Sequence, residues 1–185
     1  MMKNKGYTLV EVVIVVAIMA ILGGVSFMTI GIIRESKCQS GTNTLNNQIS
    51  SCLVRTKAVS KATNGSDNPL CMVIKKRSDN AYAVMAGYIY GNTVKDSSGN
   101  DLDPDTDANC EAILPKEIVN IKYICSTSDT SQQFPNDEMV IQFVKSEGST
   151  CYGGGKYEIY AGKADNQKLY ATIYLDPVSG KHYIE

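Results

Sequence analysis

The apolar residues of this chain are concentrated near its amino terminus. Residues 12–33 form a run of 22 positions without a charged side chain. As an α-helix with a rise of about 1.5 Å per residue, this run would extend over ~33 Å, enough to cross a bilayer core of about 30 Å. Lys3 and Lys5 precede the run, and such a basic flank stays in the cytoplasm. The pattern therefore predicts a membrane-spanning helix, followed by an extracytoplasmic part.

The helical pattern continues after the apolar run, because residues 34–63 contain no proline and repeat apolar positions at helical spacing. The less polar positions of one face are Cys38, Leu45, Cys52 and Val59, seven residues apart, with Ile49, Leu53 and Thr56 on adjoining turns. This stripe predicts an amphipathic helix that packs on a sheet. The other face carries Arg34, Lys37, Arg55, Lys57 and Lys61, and we expect it to be solvated.

Beyond the NGSDNP stop signal at residues 64–69, the pattern changes from helix to strand. Short β-rich runs bounded by Gly, Asn, Asp or Pro occupy residues 71–76, 82–90, 118–125, 139–144, 157–161, 169–175 and 181–184. The close connections at residues 163–167 and 176–180 predict antiparallel hairpins. The predicted fold is α+β: a long amino-terminal helix, with a transmembrane half (7–33) and an amphipathic half (34–63), packed on an antiparallel β-sheet head (64–185).

Composition narrows the possible functions. The chain has 18 Lys and Arg against 19 Asp and Glu, whereas a dedicated nucleic-acid-binding protein needs a basic surplus. Its one histidine, His182, lies near the end of the sequence, and we expect it at the surface. The sequence contains no nucleophile elbow, phosphate-binding loop or zinc-protease helix motif. We therefore expect a protein that is not an enzyme.

Glu11 stands at the start of the apolar segment. A charge deep in a membrane helix costs roughly 2.5–3.5 kcal/mol on insertion scales. A carboxylate in this position therefore requires a partner.

Residues 5–11, with the sequence KGYTLVE, resemble the processing site of type IV pilins and type II secretion pseudopilins. In that family a short basic leader ends in Gly, an aromatic residue follows, and a Glu occupies the fifth mature position before an unbroken apolar helix. The resemblance implies that residues 1–6 are a leader, that a prepilin peptidase cuts between Gly6 and Tyr7, and that the new amino group of Tyr7 is methylated. It implies that Glu11 attracts the amino terminus of a neighbouring subunit during assembly, and a cationic terminus is a suitable partner for a carboxylate in an apolar surrounding. The alternative is a generic signal anchor in which the acid is incidental.

The carboxy-terminal half resembles the closing strands of H-type minor pseudopilins. The resemblance lies in residues 139–143, 157–160, 171–175 and 179–181, which alternate strands with glycine-containing turns.

The resemblance implies a structural, minor subunit of a type IV pilus or related filament at the bacterial cell surface. Its expected partners are other pilin subunits, the prepilin peptidase, the inner-membrane assembly machinery and, before assembly, the membrane. Filaments of this class serve adhesion or motility, protein secretion and DNA uptake, and the residues do not choose among them. The competing interpretation is a membrane-anchored extracellular binding domain without a role in assembly.

Six cysteines follow the membrane segment, at positions 38, 52, 71, 110, 125 and 151, and an extracytoplasmic location permits disulfides. Six cysteines allow 15 pairings. Cys38 and Cys52 cannot pair, because they lie ~21 Å apart along one helix. We favour Cys52–Cys71 and Cys110–Cys125, with other pairings open. Zinc held by three or four thiolates and free buried thiols are the alternatives, although no C-x-x-C spacing supports zinc.

An acidic segment places carboxylates at alternate positions, Asp101, Asp103, Asp105 and Asp107. Calcium prefers oxygen ligands at such spacing, but the EF-hand pattern fails because Thr106 stands where its glycine is required. We expect no cofactor, and these aspartates are candidate calcium ligands or simply a solvated acidic loop.

Overall fold

The computed structural model describes residues 8–58, 68–106, 110–126, 139–144, 148, 150–163 and 165–185. The side chains of residues 25–28, 150, 151 and 163 lie outside this description. The chain divides into two compact units, Met1–Lys37 and Cys38–Glu185. The two units are described separately.

The first unit is occupied by the apolar part of helix α1, which extends over Leu9–Ala58. An 18-residue window of α1 has a mean hydropathy of 2.6, and none of this window is buried. By length and composition the helix can cross a membrane, as the apolar run predicts.

In the described residues, ten strands follow α1. They are β1 (Leu70–Lys76), β2 (Tyr82–Tyr90), β3 (Thr93–Lys95), β4 (Cys110–Ile113), β5 (Ile118–Cys125), β6 (Met139–Phe143), β7 (Thr150–Tyr152), β8 (Gly155–Lys163), β9 (Asn166–Leu175) and β10 (His182–Ile184). The first sheet has the order β3-β2-β1-β6-β7, with β4 also pairing with β2. The second sheet has the order β10-β9-β8-β5.

Every strand pairing in the described residues is antiparallel. The α+β class is therefore confirmed, and so are the two predicted hairpins, which join β8 to β9 and β9 to β10. The expectation of one sheet is wrong, because the strands form two. The seven predicted strands are present, and the short strands β3, β4 and β7 were not predicted.

The main apolar core lies between the amphipathic half of α1 and the two sheets. Cys38, Leu45, Ile49 and Cys52 are buried on the predicted stripe, and Thr42 and Thr56 satisfy their hydroxyls by donating to carbonyls one turn earlier. The sheets contribute the buried residues Met72, Ile74, Val84, Ile121, Ile141, Phe143, Tyr157, Ile159, Ile173 and Leu175. The stripe prediction is thus confirmed for the described residues, and Val59 lies outside them.

A second apolar cluster occupies the opposite face of the first sheet. Cys71, Val73, Ala83 and Met85 point to this side, where Leu102 from the β3–β4 connection is buried against them. The Lys75 ammonium donates to the Leu102 carbonyl oxygen at 3.4 Å. The central strands are therefore buried on both faces, which explains their near-continuous apolar sequences.

Candidate functional site

The amino-terminal end of α1 is held by a reciprocal set of hydrogen bonds between Thr8 and Glu11. The Thr8 backbone N–H and hydroxyl both donate to Glu11 Oε2, at 2.8 and 2.9 Å. In return, the Glu11 N–H donates to Thr8 Oγ1 at 3.3 Å. This arrangement is a capping box, which satisfies backbone donors that have no partner within the helix.

The capping box fixes where the Glu11 carboxylate lies and what it can do. Its position in the first turn is favourable, because the helix dipole places partial positive charge there. Both recorded hydrogen bonds end on Oε2, so among the described residues Oε1 is the oxygen available to a cation from outside the chain. The arrangement suits a carboxylate that pairs with an amino group supplied by another molecule.

Thr8 is a residue that the sequence reasoning missed. Its signal was present, because Thr8 and Glu11 have the spacing S/T-x-x-E that precedes an apolar helix. The scissile residues Gly6 and Tyr7 lie outside the described residues, so cleavage and methylation remain predictions.

The surface next to Glu11 is apolar on every side of the helix. Leu9, Val10, Val12 and Val13 are each more than half exposed, and the apolar exposure continues through Ile33 at the described positions. Exposed apolar surface of this extent indicates burial in lipid or against other apolar helices.

The cysteines do not form the disulfides favoured from the sequence. None of the five cysteines whose side chains are described is joined in a disulfide. Cys52 belongs to the main core and Cys71 to the cluster on the opposite face of the first sheet, and no disulfide joins them. Cys110 and Cys125 lie in different sheets, and the Cys110 thiol contacts the Pro104 and Thr106 carbonyl oxygens.

The buried cysteine thiols act as small apolar core residues. Burial is the main cause that raises the pKa of Cys52 to about 12. The thiol is therefore protonated at neutral pH and chemically inert. The side chain of Cys151 lies outside the described residues.

The aspartates of the acidic segment are engaged separately. Asp101 forms an ion pair with Lys95. Asp103 accepts hydrogen bonds from the Asp105 N–H and the Thr106 hydroxyl. Asp105 accepts hydrogen bonds from the N–H and the hydroxyl of Ser78. Within the described ranges, no three His, Cys, Asp or Glu side chains converge as metal ligands. Asp107 lies outside those ranges.

His182 differs from its expected surface position. Its ring is half-buried against α1, with Nε2 at 2.7 Å from Ser50 Oγ and Nδ1 at 3.3 Å from the Gly180 carbonyl oxygen. The Ser50 hydroxyl also donates to the Asn46 carbonyl oxygen at 3.2 Å. The contact between Ser50 and His182 links the helix to β10.

The comparisons with known proteins support the interpretation of the amino terminus. Residues 1–27 match the family model of the prokaryotic N-terminal methylation motif. No curated protein matches the chain, and no solved structure matches it. The match ends before the head, so the resemblance to H-type pseudopilins is still a prediction.

Proposed function

We propose that this chain, whose class III prepilin leader is typical of type IV pilins and pseudopilins, is the precursor of a minor filament subunit. Pilin family proteins are structural and non-enzymatic. A prepilin peptidase removes residues 1–6 on the cytoplasmic face, and Tyr7 is then methylated. The observation that carries the proposal is a carboxylate, Glu11, at the start of an exposed apolar helix and five residues after the leader.

The membrane segment and the assembly segment are the same part of α1. Before assembly, lipid covers the apolar surface that precedes the head. During assembly, apolar helices of neighbouring subunits replace the lipid, and the amino group of one subunit pairs with Glu11 of another. Pairing stabilises both charges where water is excluded.

Thr8 has a positioning role in this assembly. Its two hydrogen bonds hold the carboxylate over the first turn in the unassembled chain. They also offset part of the cost of carrying a charged group in the membrane before the partner arrives.

Mass spectrometry of the mature protein tests the processing step. We expect the mature chain to begin at Tyr7 and to carry one methyl group, whereas a membrane-anchored binding domain would retain the leader. Gly6→Val should accumulate the precursor in the membrane, because a side chain at this position hinders approach of the peptidase. Normal maturation of Gly6→Val would exclude the prepilin interpretation.

Sheared filaments test the assembly step. Glu11→Val should insert in the membrane at least as well as the wild-type chain but should be depleted from filaments. Thr8→Ala should reduce incorporation to a smaller extent, and Thr8→Ser, which retains the hydroxyl, should restore it. Wild-type amounts of Glu11→Val in filaments would refute the assembly role of the carboxylate.

A further inference from the structure

Strand β10 forms one edge of the second sheet. Thr172 and Glu185 exchange two backbone hydrogen bonds of 2.8 Å, and Asp176 N–H donates to the Lys181 carbonyl oxygen at 2.9 Å. Backbone groups alternate in direction along an antiparallel strand. Residues 181, 183 and 185 therefore direct their backbone groups to β9, and His182 and Ile184 direct theirs away from the sheet.

An aromatic stack ends at this edge. The Lys156 ammonium lies 5.0 Å from the Tyr174 ring centroid, and the ring of Tyr183 stacks on Tyr174 at 5.0 Å with an interplanar angle of 12°. Tyr183 is 59% exposed. Contacts within one chain therefore hold the Tyr183 ring in place. The ring is exposed to solvent at the edge formed by β10.

The sequence of residues 181–185, KHYIE, is complementary to itself in antiparallel orientation. If two copies of β10 pair about Tyr183, His182 of each copy lies opposite Ile184 of the other. These are the residues whose backbone groups point outward, so the two pairs can form four hydrogen bonds. If the register shifted by one residue, His182 and Ile184 would face residues whose backbone groups are directed to β9, and the hydrogen bonds between the two copies could not form.

The side chains agree with the same register. Lys181, Tyr183 and Glu185 alternate onto one face, since side chains in a strand have a period of two. Pairing about Tyr183 places the two Tyr183 rings side by side and places Lys181 of each copy opposite Glu185 of the other. Aromatic pairs and pairs of opposite charge are the favourable cross-strand neighbours.

We propose that β10 is a self-association edge, through which the heads of two copies of this chain join their second sheets about a twofold axis. The partner is a second copy because the backbone directions, the aromatic residue and the charges all match when the strand meets itself. This contact uses none of the residues of the amino-terminal site.

The contact is small, and small interfaces are weak between isolated molecules. Many copies held together on one membrane or filament raise the effective concentration and strengthen such a contact. The edge therefore suits heads that are already brought close by their helices.

Charge exchange on the full-length protein tests the proposal. Sedimentation equilibrium in density-matched detergent, at a high ratio of protein to detergent that raises the effective concentration of the heads, should detect dimers of the wild-type chain. Lys181→Glu alone and Glu185→Lys alone each place like charges opposite one another, and should weaken self-association roughly tenfold. An equimolar mixture of the two variants restores opposite charges in the mixed dimer and should return the affinity to that of the wild type. The double variant should do the same.

Two further variants separate the edge from other causes. Ile184→Pro removes an outward N–H without removing a bond to β9, and should abolish the dimer while the head stays folded. Lys168→Glu makes the same charge change on the exposed part of β9 and should leave the dimer unchanged. Association through α1 is the same in all variants. It therefore cannot explain a loss of affinity in each single variant that is reversed when the two variants are mixed. A monomeric wild-type chain, or single variants that associate as the wild type does, would overturn the proposal.

Discussion

The hydroxyl of Tyr82 on β2 connects the first sheet to strand β5 of the second sheet. It accepts a hydrogen bond from Ile121 N–H at 3.3 Å and donates to Asn120 Oδ1 at the same distance. Tyr82 is 5% exposed, and burial raises the pKa of its hydroxyl. The group therefore stays protonated and serves as donor and acceptor together.

Tyr82→Phe should lower the free energy of unfolding by about 1–3 kcal/mol, because the buried Ile121 N–H loses its acceptor. Chemical unfolding of the full-length protein in detergent measures the change. Tyr88→Phe, on the same strand but only half-buried, is the matched control and should have little effect. Equal losses for the two variants would contradict the role of the Tyr82 hydroxyl.

The buried thiols lead to a second prediction for single residues. Since no disulfide joins the described cysteines, a reducing agent should leave the melting temperature of the head unchanged. A native disulfide in a small secreted domain typically contributes about 2–5 kcal/mol, so a decrease of several degrees on reduction would indicate a bridge. Peptide mapping without reduction would then identify the pair.

At the scale of elements, Gly41 sets how closely α1 approaches the β4–β5 connection. A Cβ atom at this position would lie 2.6 Å from Ile118 Cδ1 and 2.7 Å from Pro115 Cδ. Glycine within a helix lowers its stability by roughly 0.5–1 kcal/mol relative to alanine. Here the close contact with the sheet requires it.

Gly41→Val should destabilise the head by about 1–3 kcal/mol through overpacking, as measured by thermal unfolding. Ser40→Val, at the adjacent exposed position, introduces the same β-branched side chain without that contact. Equal costs for the two variants would show that the contact with Ile118 and Pro115 does not determine the effect.

The strands differed in how well their sequences predicted them. Six of the seven strands found from sequence have five or more residues, and the seventh, β10, has three residues but follows a predicted hairpin turn. Strands β3 and β7 have three residues each and β4 has four. Segments this short do not show a recognisable alternation of apolar and polar residues. They form strands because the backbone groups of an adjacent strand are available for pairing.

At the scale of the whole molecule, four aspartates hold turns that connect the strands. Local donors lower the pKa of each carboxyl group: the Ala81 N–H for Asp79, the Asn100 N–H for Asp96, the Asp105 N–H for Asp103 and the Ser179 hydroxyl for Asp176. Each carboxylate thus favours the folded state in its charged form.

Because these pKa values are lower in the folded state, the unfolded state binds more protons in acid, and stability rises with pH in that range. The stabilisation is present above the ordinary aspartate pKa of about 3.9 and is lost as the pH falls through the lower folded values. We expect the melting temperature to be level between about pH 7 and pH 5 and to decrease below about pH 4.

Asp176→Asn should make this acid dependence shallower, because the variant has one carboxylate fewer to protonate. The exposed Asp165→Asn is the control and should preserve the wild-type profile. Identical profiles for all three proteins would show that turn carboxylates do not control acid stability.

The sequence by itself determined the features that depend on local pattern. The apolar run, the position of Glu11 after the leader and the buried stripe of α1 are all readable because helix periodicity and membrane length are properties of contiguous residues. For the same reason the long strands and the two hairpins were predicted correctly.

Only the tertiary structure decided how distant segments meet. It divided the strands into two sheets, placed Cys52 and Cys71 in different apolar clusters, and brought Ser50 to His182 and Tyr82 to Ile121. These outcomes depend on strand pairing and on which face of each strand is buried. A one-residue difference in register reverses every face, and no local pattern in the sequence specifies the register between strands that are far apart.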